Sequence, residues 1–472
     1  MGAAVLTPRF AKDEGHKVKP DGSLMRAVRC LDDFSASWVN SAAWASECMR
    51  LNTLDTLVSL ARLAAHGARY PRLRLTKADF TGAFKTLPIH SADLDVAVSV
   101  WRRQDGTIRC LQLFALPFGA LPSGYCWERL GHAIQSILAV IFHIPRGRYV
   151  DDVFGIEAEL DNARGCYVGP QNTAQLAKWV IEHLLGWQLD AAKDCFAERQ
   201  TLVLGITVKY CDDTQTLRFT VPDAKIEKWL QQISRILECG WLSPCDAKQL
   251  LGRLAWGSSQ VFDRSARVYL APLRWHSCGS GSWVTSRLRR SLEWWARFLQ
   301  CNPTRVMPVH WAPRPRIIIS SDATGHGDLT YVIAAGDRRF YAAASAPASL
   351  RKWLNYRRTQ IAAYELVAAL AGLCEVIRVF PGAEILLFVD NTAALGVLNR
   401  GCSRESDYNE LVTGAHCAQI AAANIHCCAA RNLAGSCTAS CYALVLVCSK
   451  RPESCRCPDE GLAKTSPNGC PP

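Results

Sequence analysis

Residues 75–89 read Leu75-Thr76-Lys77-Ala78-Asp79-Phe80-Thr81-Gly82-Ala83-Phe84-Lys85-Thr86-Leu87-Pro88-Ile89, and 72 residues separate Asp79 from Asp151 in Tyr149-Val150-Asp151-Asp152. Leu73 to Phe80 predicts a strand, and Arg148 to Glu157 predicts a hairpin whose turn carries the adjacent aspartates. A lone aspartate at a strand end is common and says little. Two adjacent acids between Tyr149-Val150 and Val153-Phe154 say more, because strand alternation turns at least one carboxylate toward an otherwise apolar face. That placement is costly without a cation. Nucleotidyl transfer uses converging carboxylates to hold two divalent cations against the attacking hydroxyl and the leaving pyrophosphate, so these residue types suit that chemistry.

Around this pair the chain alternates strand and helix signals. Leu54, Leu57, Val58, Ala61 and Ala65 share one helical face. Val96 to Trp101 and Thr107 to Leu113 flank Gln-Asp-Gly and read as a hairpin. Pro122-Ser123 can start and cap a helix that buries Leu130, Ile134, Ile137, Leu138 and Ile141 and ends before Pro145. A helix over Ala174 to Leu185, a strand over Leu202 to Val208, and helices from Asp223 to Trp275 follow. Residues 276–315, with Gly279-Ser280-Gly281-Ser282 and four prolines, read as a connection.

Tyr149-Val150-Asp151-Asp152 resembles the reverse-transcriptase signature, and Asp79 through Pro88 resembles that family's first catalytic motif over ten consecutive positions. The resemblance implies that Asp79 and Asp151 bind the metals, that Asp152 supports them, and that Phe84 is the bulky gate against a ribose 2′-hydroxyl. DNA synthesis is therefore implied. Leu116-Pro117-Phe118-Gly119 is similar to the family's template-grip and nucleotide-binding motif, although it also reads as an ordinary turn into a helix. Arg29, in Arg29-Cys30-Leu31-Asp32-Asp33-Phe34, matches the arginine that grips the incoming triphosphate, with Lys19 as a helper. Without the motif, Arg29 reads as the ion-pair partner of Asp32 or Asp33. Lys193 resembles the lysine that protonates pyrophosphate, and Leu204-Gly205-Ile206 the start of the primer grip. Only 78 residues precede Asp79, short for the family's fingers, so part of that subdomain is expected to be missing.

A second acidic set begins about Arg316. A strand Ile317 to Ser321 leads to Asp322; a strand pair spans Leu329 to Ala344; a helix Thr359 to Val379 carries Glu365; a strand from Ile385 ends at Asp390; and a helix runs Thr392 to Arg400. Glu365 is the single charge between Ile361 and Cys374, so it needs a metal or a partner such as Arg316. The order strand-Asp, helix-Glu, strand-Asp resembles ribonuclease H, a two-metal nuclease acting on RNA/DNA hybrids, and Asp390-Asn391-Thr392-Ala393-Ala394 is close to its third motif. That family's fourth acid, within Asn-x-Ala-Asp, is replaced here by Gly435 after Asn432-Leu433-Ala434. An impaired nuclease is expected, in which Asp322, Glu365 and Asp390 still bind a cation.

The resemblance, over roughly residues 16–434, implies an α+β and α/β multidomain chain. Residues 1–275 would form a right-hand polymerase (partial fingers, palm, thumb), 276–315 a connection, 316–434 a ribonuclease H-like mixed-sheet domain, and 435–472 a degenerate tail. It implies Mg2+, two ions per site, with Mn2+ as the alternative, and as partners an RNA template, a DNA primer strand, an RNA/DNA hybrid and dNTPs. The element would be a retrotransposon. Composition agrees: 49% hydrophobic and 20% charged residues suit packed domains, and a net charge of +12 favours polyanions. Cysteines divide unevenly, 12 before residue 400 and 10 in the last 72, with no C-x-x-C pair in the tail to suggest zinc. A frame-shifted or decayed terminus is the simpler reading. No apolar run is long enough for a membrane span, and the start lacks a signal peptide or myristoylation pattern, so an intracellular protein, cytoplasmic or nuclear, is expected. Two rivals stand beside an active polymerase: an inactive remnant that binds nucleic acid, and, more distantly, a cellular telomere-type polymerase.

Overall fold

The computed structural model describes residues 4–18, 22–159, 169–262, 266–310, 314–381 and 383–412, with strand segments at 444–448 and 463–464. Its chain divides into two compact units, residues 1–204 with 209–216, and residues 205–208 with 217–472. The expected Lys19, the Asn432-to-Gly435 segment and the cysteine-rich tail, apart from the two short strands, lie outside the described residues.

In the first unit, strands β1 (Leu6–Val18), β2 (Leu24–Asp32), β4 (Val98–Arg102) and β5 (Ile108–Gln112) make one sheet in the order β2-β1-β4-β5. The second sheet holds β3 (Arg72–Asp79), β6 (Gly147–Tyr149), β7 (Asp152–Glu159) and β8 (Cys195–Glu198) in the order β6-β7-β3-β8. Helices α1 (Val39–Ala42), α2 (Leu54–Ala64), α3 (Leu121–Val140) and α4 (Pro170–Trp179) accompany these sheets. Thr53 and Thr56 form a reciprocal capping box on α2, whose apolar face is buried as its spacing predicts. Two features of α3 correct the sequence reading. Ser123 is buried inside the first turn and does not cap it, and Ile141 is exposed. The buried stripe runs instead through Ser123, Trp127, Gly131, Ile134 and Leu138, because the aromatic Trp127 is the residue that meets the sheet.

Gly131 has a specific cause. A Cβ there would lie 2.4 Å from the guanidinium of Arg148, which is buried and passes beneath the helix. That guanidinium is fixed by the Glu128 carboxylate at 2.7 Å and by the Glu128 carbonyl at 3.3 Å. Glycine in a helix interior costs about 1 kcal/mol against alanine, so the position is held by the arginine rather than by helix preference.

The strand expected over Leu202 to Val208 is two strands, β9 (Gln200–Val203) and β10 (Ile206–Cys211). Leu204 and Gly205 between them are left-handed, with φ of 50° and 75°, which ends strand pairing. Next come β11 (Thr216–Thr220), α5 (Asp223–Cys239), α6 (Pro244–Gly257), α7 (Ala271–Cys278) and α8 (Ser286–Gln300), then β12 (Thr304–Pro308). The stretch 276–315, read from its glycines and prolines as a connection, thus contains a four-turn helix. Leu288, Leu292, Trp295, Phe298 and Leu299 are its buried face, a 3.6-residue stripe that the flanking punctuation obscured.

Farther on, β13 (Arg316–Ala323), β14 (Asp328–Ala335), β15 (Arg338–Ser345) and β16 (Glu384–Val389) form a mixed sheet, with β13 antiparallel to β14 and parallel to β16. Strands β17 (Leu444–Cys448) and β18 (Ala463–Lys464) take its two edges. Helices α9 (Ala348–Trp353), α10 (Ile361–Val379) and α11 (Thr392–Arg400) accompany it. Gly372 lets α10 lie close on the sheet, since a Cβ would come within 2.9 Å of Ile319 Cγ2. No described helix is long and apolar enough to cross a membrane.

Candidate active sites

The first acidic set lies at one end of the β3–β7 pair. Asp79 closes β3 directly opposite Asp152, which opens β7, and the Phe80 N–H donates to the Asp151 carbonyl at 3.0 Å. The β6–β7 turn is strained: Val150 is left-handed, at φ 56°, an outlying conformation for a β-branched residue. Two buried donors hold it there. Trp127 Nε1 and Arg148 Nη1 donate to the Val150 carbonyl at 2.7 and 2.8 Å. Trp127 in turn packs edge-on against Phe80 and Trp187, so the acidic turn rests on an aromatic floor.

Lys193 reaches this site through a second turn. The Asp190 N–H donates to the Asp79 carbonyl at 2.8 Å, the Lys193 N–H donates to the Asp190 carbonyl at 2.9 Å, and Lys193 Nζ donates to Asp79 Oδ1 at 2.7 Å. Lys77, two residues before Asp79 on the same face of β3, pairs with Asp152 at 3.0 Å. Sequence reading passed over Lys77, although its alternation with Asp79 was available as a signal. Burial nevertheless outweighs the Lys193 ammonium and holds the Asp79 carboxyl above its usual range. Asp151 is raised by burial first and by the Asp79 charge second. Such acids fit a divalent cation, which would oppose both causes.

Phe84 and Phe118 meet edge to face at 5.0 Å between ring centres. Gly119 is left-handed, at φ 97°, and its hypothetical Cβ would sit 2.5 Å from the Asp32 carbonyl oxygen, so glycine is required. Asn40 was not singled out in the sequence, yet it clamps this turn: Nδ2 donates to the Gly119 carbonyl at 2.9 Å and Oδ1 accepts from the Leu121 N–H at 2.7 Å. It thus caps α3, whose own Ala120 offers no side-chain cap. Arg29 lies on β2 opposite Lys12. Of the two acids weighed as its partner, Asp32 is held by Arg9 at 2.8 Å and by the Ser99 hydroxyl at 2.6 Å, while Asp33 Oδ1 accepts from the Ser35 and Ala36 N–H groups.

The second set gathers within the second unit. In-register pairing of Ser321 with Val389 brings Asp322 and Asp390 to neighbouring strand ends, and α10 lowers Glu365 between them. One ligand oxygen from each lies within 4.8 Å of the others. Among the described residues this is the one group of three metal-binding side chains gathered so closely. Glu365 is 2% exposed. Its Oε1 accepts from the Ala323 N–H at 3.1 Å, and its Oε2 is buried without a hydrogen-bond partner. Arg316, weighed as its partner, pairs instead with Glu384 at 3.4 Å, because strand direction puts Arg316 at the opposite end of β13 from Asp322. Burial, followed by the Asp390 and Asp322 charges, pushes the Glu365 carboxyl up to about 7. An orphaned buried oxygen beside two acids is a donor set that a hard divalent cation fits.

No protein-family model matches the chain, and no curated protein does. Among solved structures, a foamy viral protease-reverse transcriptase dRH in complex with double-stranded DNA shares 14% identity with a TM-score of 0.45, over 93% of this chain and 65% of that one. A foamy viral protease-reverse transcriptase in complex with RNA/DNA hybrid shares 15% with a TM-score of 0.42, over 98% of this chain and 53% of that one. The chain thus spans under two thirds of the length of both.

Proposed function

We propose that this chain is the RNA-directed DNA polymerase of a retrotransposon, with a ribonuclease H-type site in its second unit. The observation that carries the reading is the placement of Asp79, Asp151 and Asp152 at one end of paired strands with the Lys193 ammonium on Asp79. Asp79 and Asp151 would hold two magnesium ions, or manganese, which when bound supply Lewis-acid activation of the primer hydroxyl and charge stabilisation for the leaving pyrophosphate. Lys77 keeps Asp152 neutralised beside them. Lys193, its acidity weakened by Asp79, remains a protonated donor for the departing pyrophosphate. The paired rings of Phe84 and Phe118 would border the sugar of an incoming dNTP, and Arg29 its triphosphate. Asp322, Glu365 and Asp390 would hold magnesium over the RNA strand of an RNA/DNA hybrid. The basic surplus favours the template-primer duplex.

A second reading, a folded remnant that binds nucleic acid without synthesis, is favoured by the lysines that already occupy Asp79 and Asp152 in place of a metal. Primer extension on an RNA template with magnesium separates the two. Synthesis that disappears in Asp151→Asn, Asp152→Asn supports the polymerase; a well-folded, hybrid-binding chain that makes no DNA supports the remnant.

A further inference from the structure

A patch on the second unit, made by three tryptophans and an arginine, takes no part in either acidic site. Trp241 and Trp283 face each other in an isolated antiparallel bridge. The Leu242 N–H donates to the Ser282 carbonyl and the Val284 N–H to the Gly240 carbonyl, so the hydrogen bonds flank the tryptophans. They form a non-hydrogen-bonded pair, the arrangement that brings side chains closest on one face. Yet both rings stay open to water, at 47% and 76% exposure. His276 Nε2 lies 2.7 Å from the Leu242 carbonyl and ties the end of α7 to this bridge. Its neighbour Trp275 is 39% exposed and lies under the Arg287 guanidinium at 4.0 Å. Arginines dominate the nearby sequence: residues 271–300 carry Arg274, Arg287, Arg289, Arg290 and Arg297 against Glu293, with Glu410 in Coulombic range of Arg287.

We propose that this surface binds single-stranded nucleic acid, with bases stacked on Trp241 and Trp283 and phosphates on Arg287 and its neighbours. Exposed indoles beside a surplus of arginines match a strand that presents flat π-faces and regular negative charge together. A duplex hides its base faces and offers only the second. The assignment rests on the reading that nucleic acid is this chain's partner, and adds which form is bound and where.

The test uses the full chain in chelator-containing buffer with a labelled oligothymidylate of about 12 nucleotides and a duplex of equal length. Trp241→Ala, Trp283→Ala should weaken the single strand roughly tenfold to a hundredfold, leave duplex affinity unchanged and leave the melting temperature near wild type. Arg274→Ala, Arg287→Ala should lower the salt slope of single-strand binding by about 0.7 for each phosphate that is no longer neutralised. Unchanged single-strand affinity, or an equal loss on duplex, overturns the proposal while leaving primer extension to judge the polymerase reading separately. Self-association that Trp283→Ala abolishes overturns it too, giving the surface to a second copy of the chain.

Discussion

The two acidic sets use the same chemistry under opposite charge management. At the first, Lys193 and Lys77 pair with Asp79 and Asp152, and Asp151 is left between them. At the second, Asp322, Glu365 and Asp390 have no ion pair among the described residues, and Glu365 keeps a buried oxygen unsatisfied. The first set carries its own counter-ions; the second relies on a proton until a cation arrives. Carboxylates gathered by the backbone therefore do not by themselves set metal demand. The cations that share their faces do.

The largest effect should come from removing a charge that no lysine can replace. Asp79→Asn should lower primer extension on the order of 1000-fold while leaving any hybrid cleavage in place, and Asp390→Asn should do the reverse. If either change abolished both activities in folded protein, the sites would not be independent. Next, Lys193→Met would place the first site in the condition of the second, with a buried carboxylate lacking its ammonium. A loss of about 1 kcal/mol in urea unfolding is expected, because Lys193 is half exposed and Asp79 can take up a proton in its place, and magnesium should partly recover it. An unchanged midpoint would show that the ammonium contributes nothing there.

Glu365→Gln sharpens the contrast from the other side. The folded-state carboxyl stands at about 7 against an ordinary 4.5, so its contribution to stability is complete below the lower value and is lost as pH rises through the upper one. Glutamine keeps the Ala323 N–H bond and carries no charge. At pH 8 without divalent cation the variant should be more stable by about 1–2 kcal/mol, and the two proteins should converge near pH 5. A variant less stable at pH 8 would mean that Glu365 has a counter-ion after all.

Smaller effects test the supports. Asn40→Ala should cost about 1 kcal/mol and raise the KM for dNTP more than it lowers kcat, since it frees the Gly119 turn and uncaps α3. Aspartate at that position should restore the cap to Leu121 but not the bond to Gly119. Arg316→Ala should shift stability by less than about 0.5 kcal/mol, because its pair with Glu384 is largely open to water; a larger loss would give that arginine a role the ion pair does not explain.

Much of this was legible in the residues, for physical reasons. Strand ends singled out Asp79, Asp322 and Asp390, alternation between apolar neighbours singled out Asp151 and Asp152, and an apolar helix interrupted by one charge singled out Glu365. What escaped was set by register or by long-range contact. Nothing local to Asn40 announces a turn 79 residues away. The α8 stripe was masked by neighbouring glycines and prolines, and the strand across Leu204 failed because a non-glycine residue adopted a left-handed conformation. Ile141 has the helical spacing of Leu138 and Ile134, but α3 ends at Val140, so Ile141 turns to solvent and Ile144 takes the next buried place.

The passage of Arg148 beneath Gly131 reaches beyond stability. A side chain added at position 131 collides with the guanidinium, while a shorter residue at 148 drops a donor to the Val150 carbonyl and strands Glu128. Neither position can drift alone without loosening the acidic turn. Any lineage that exchanged this pair must cross a defective intermediate, so the two residues should be inherited as a linked unit even though one is only a hydrogen atom wide.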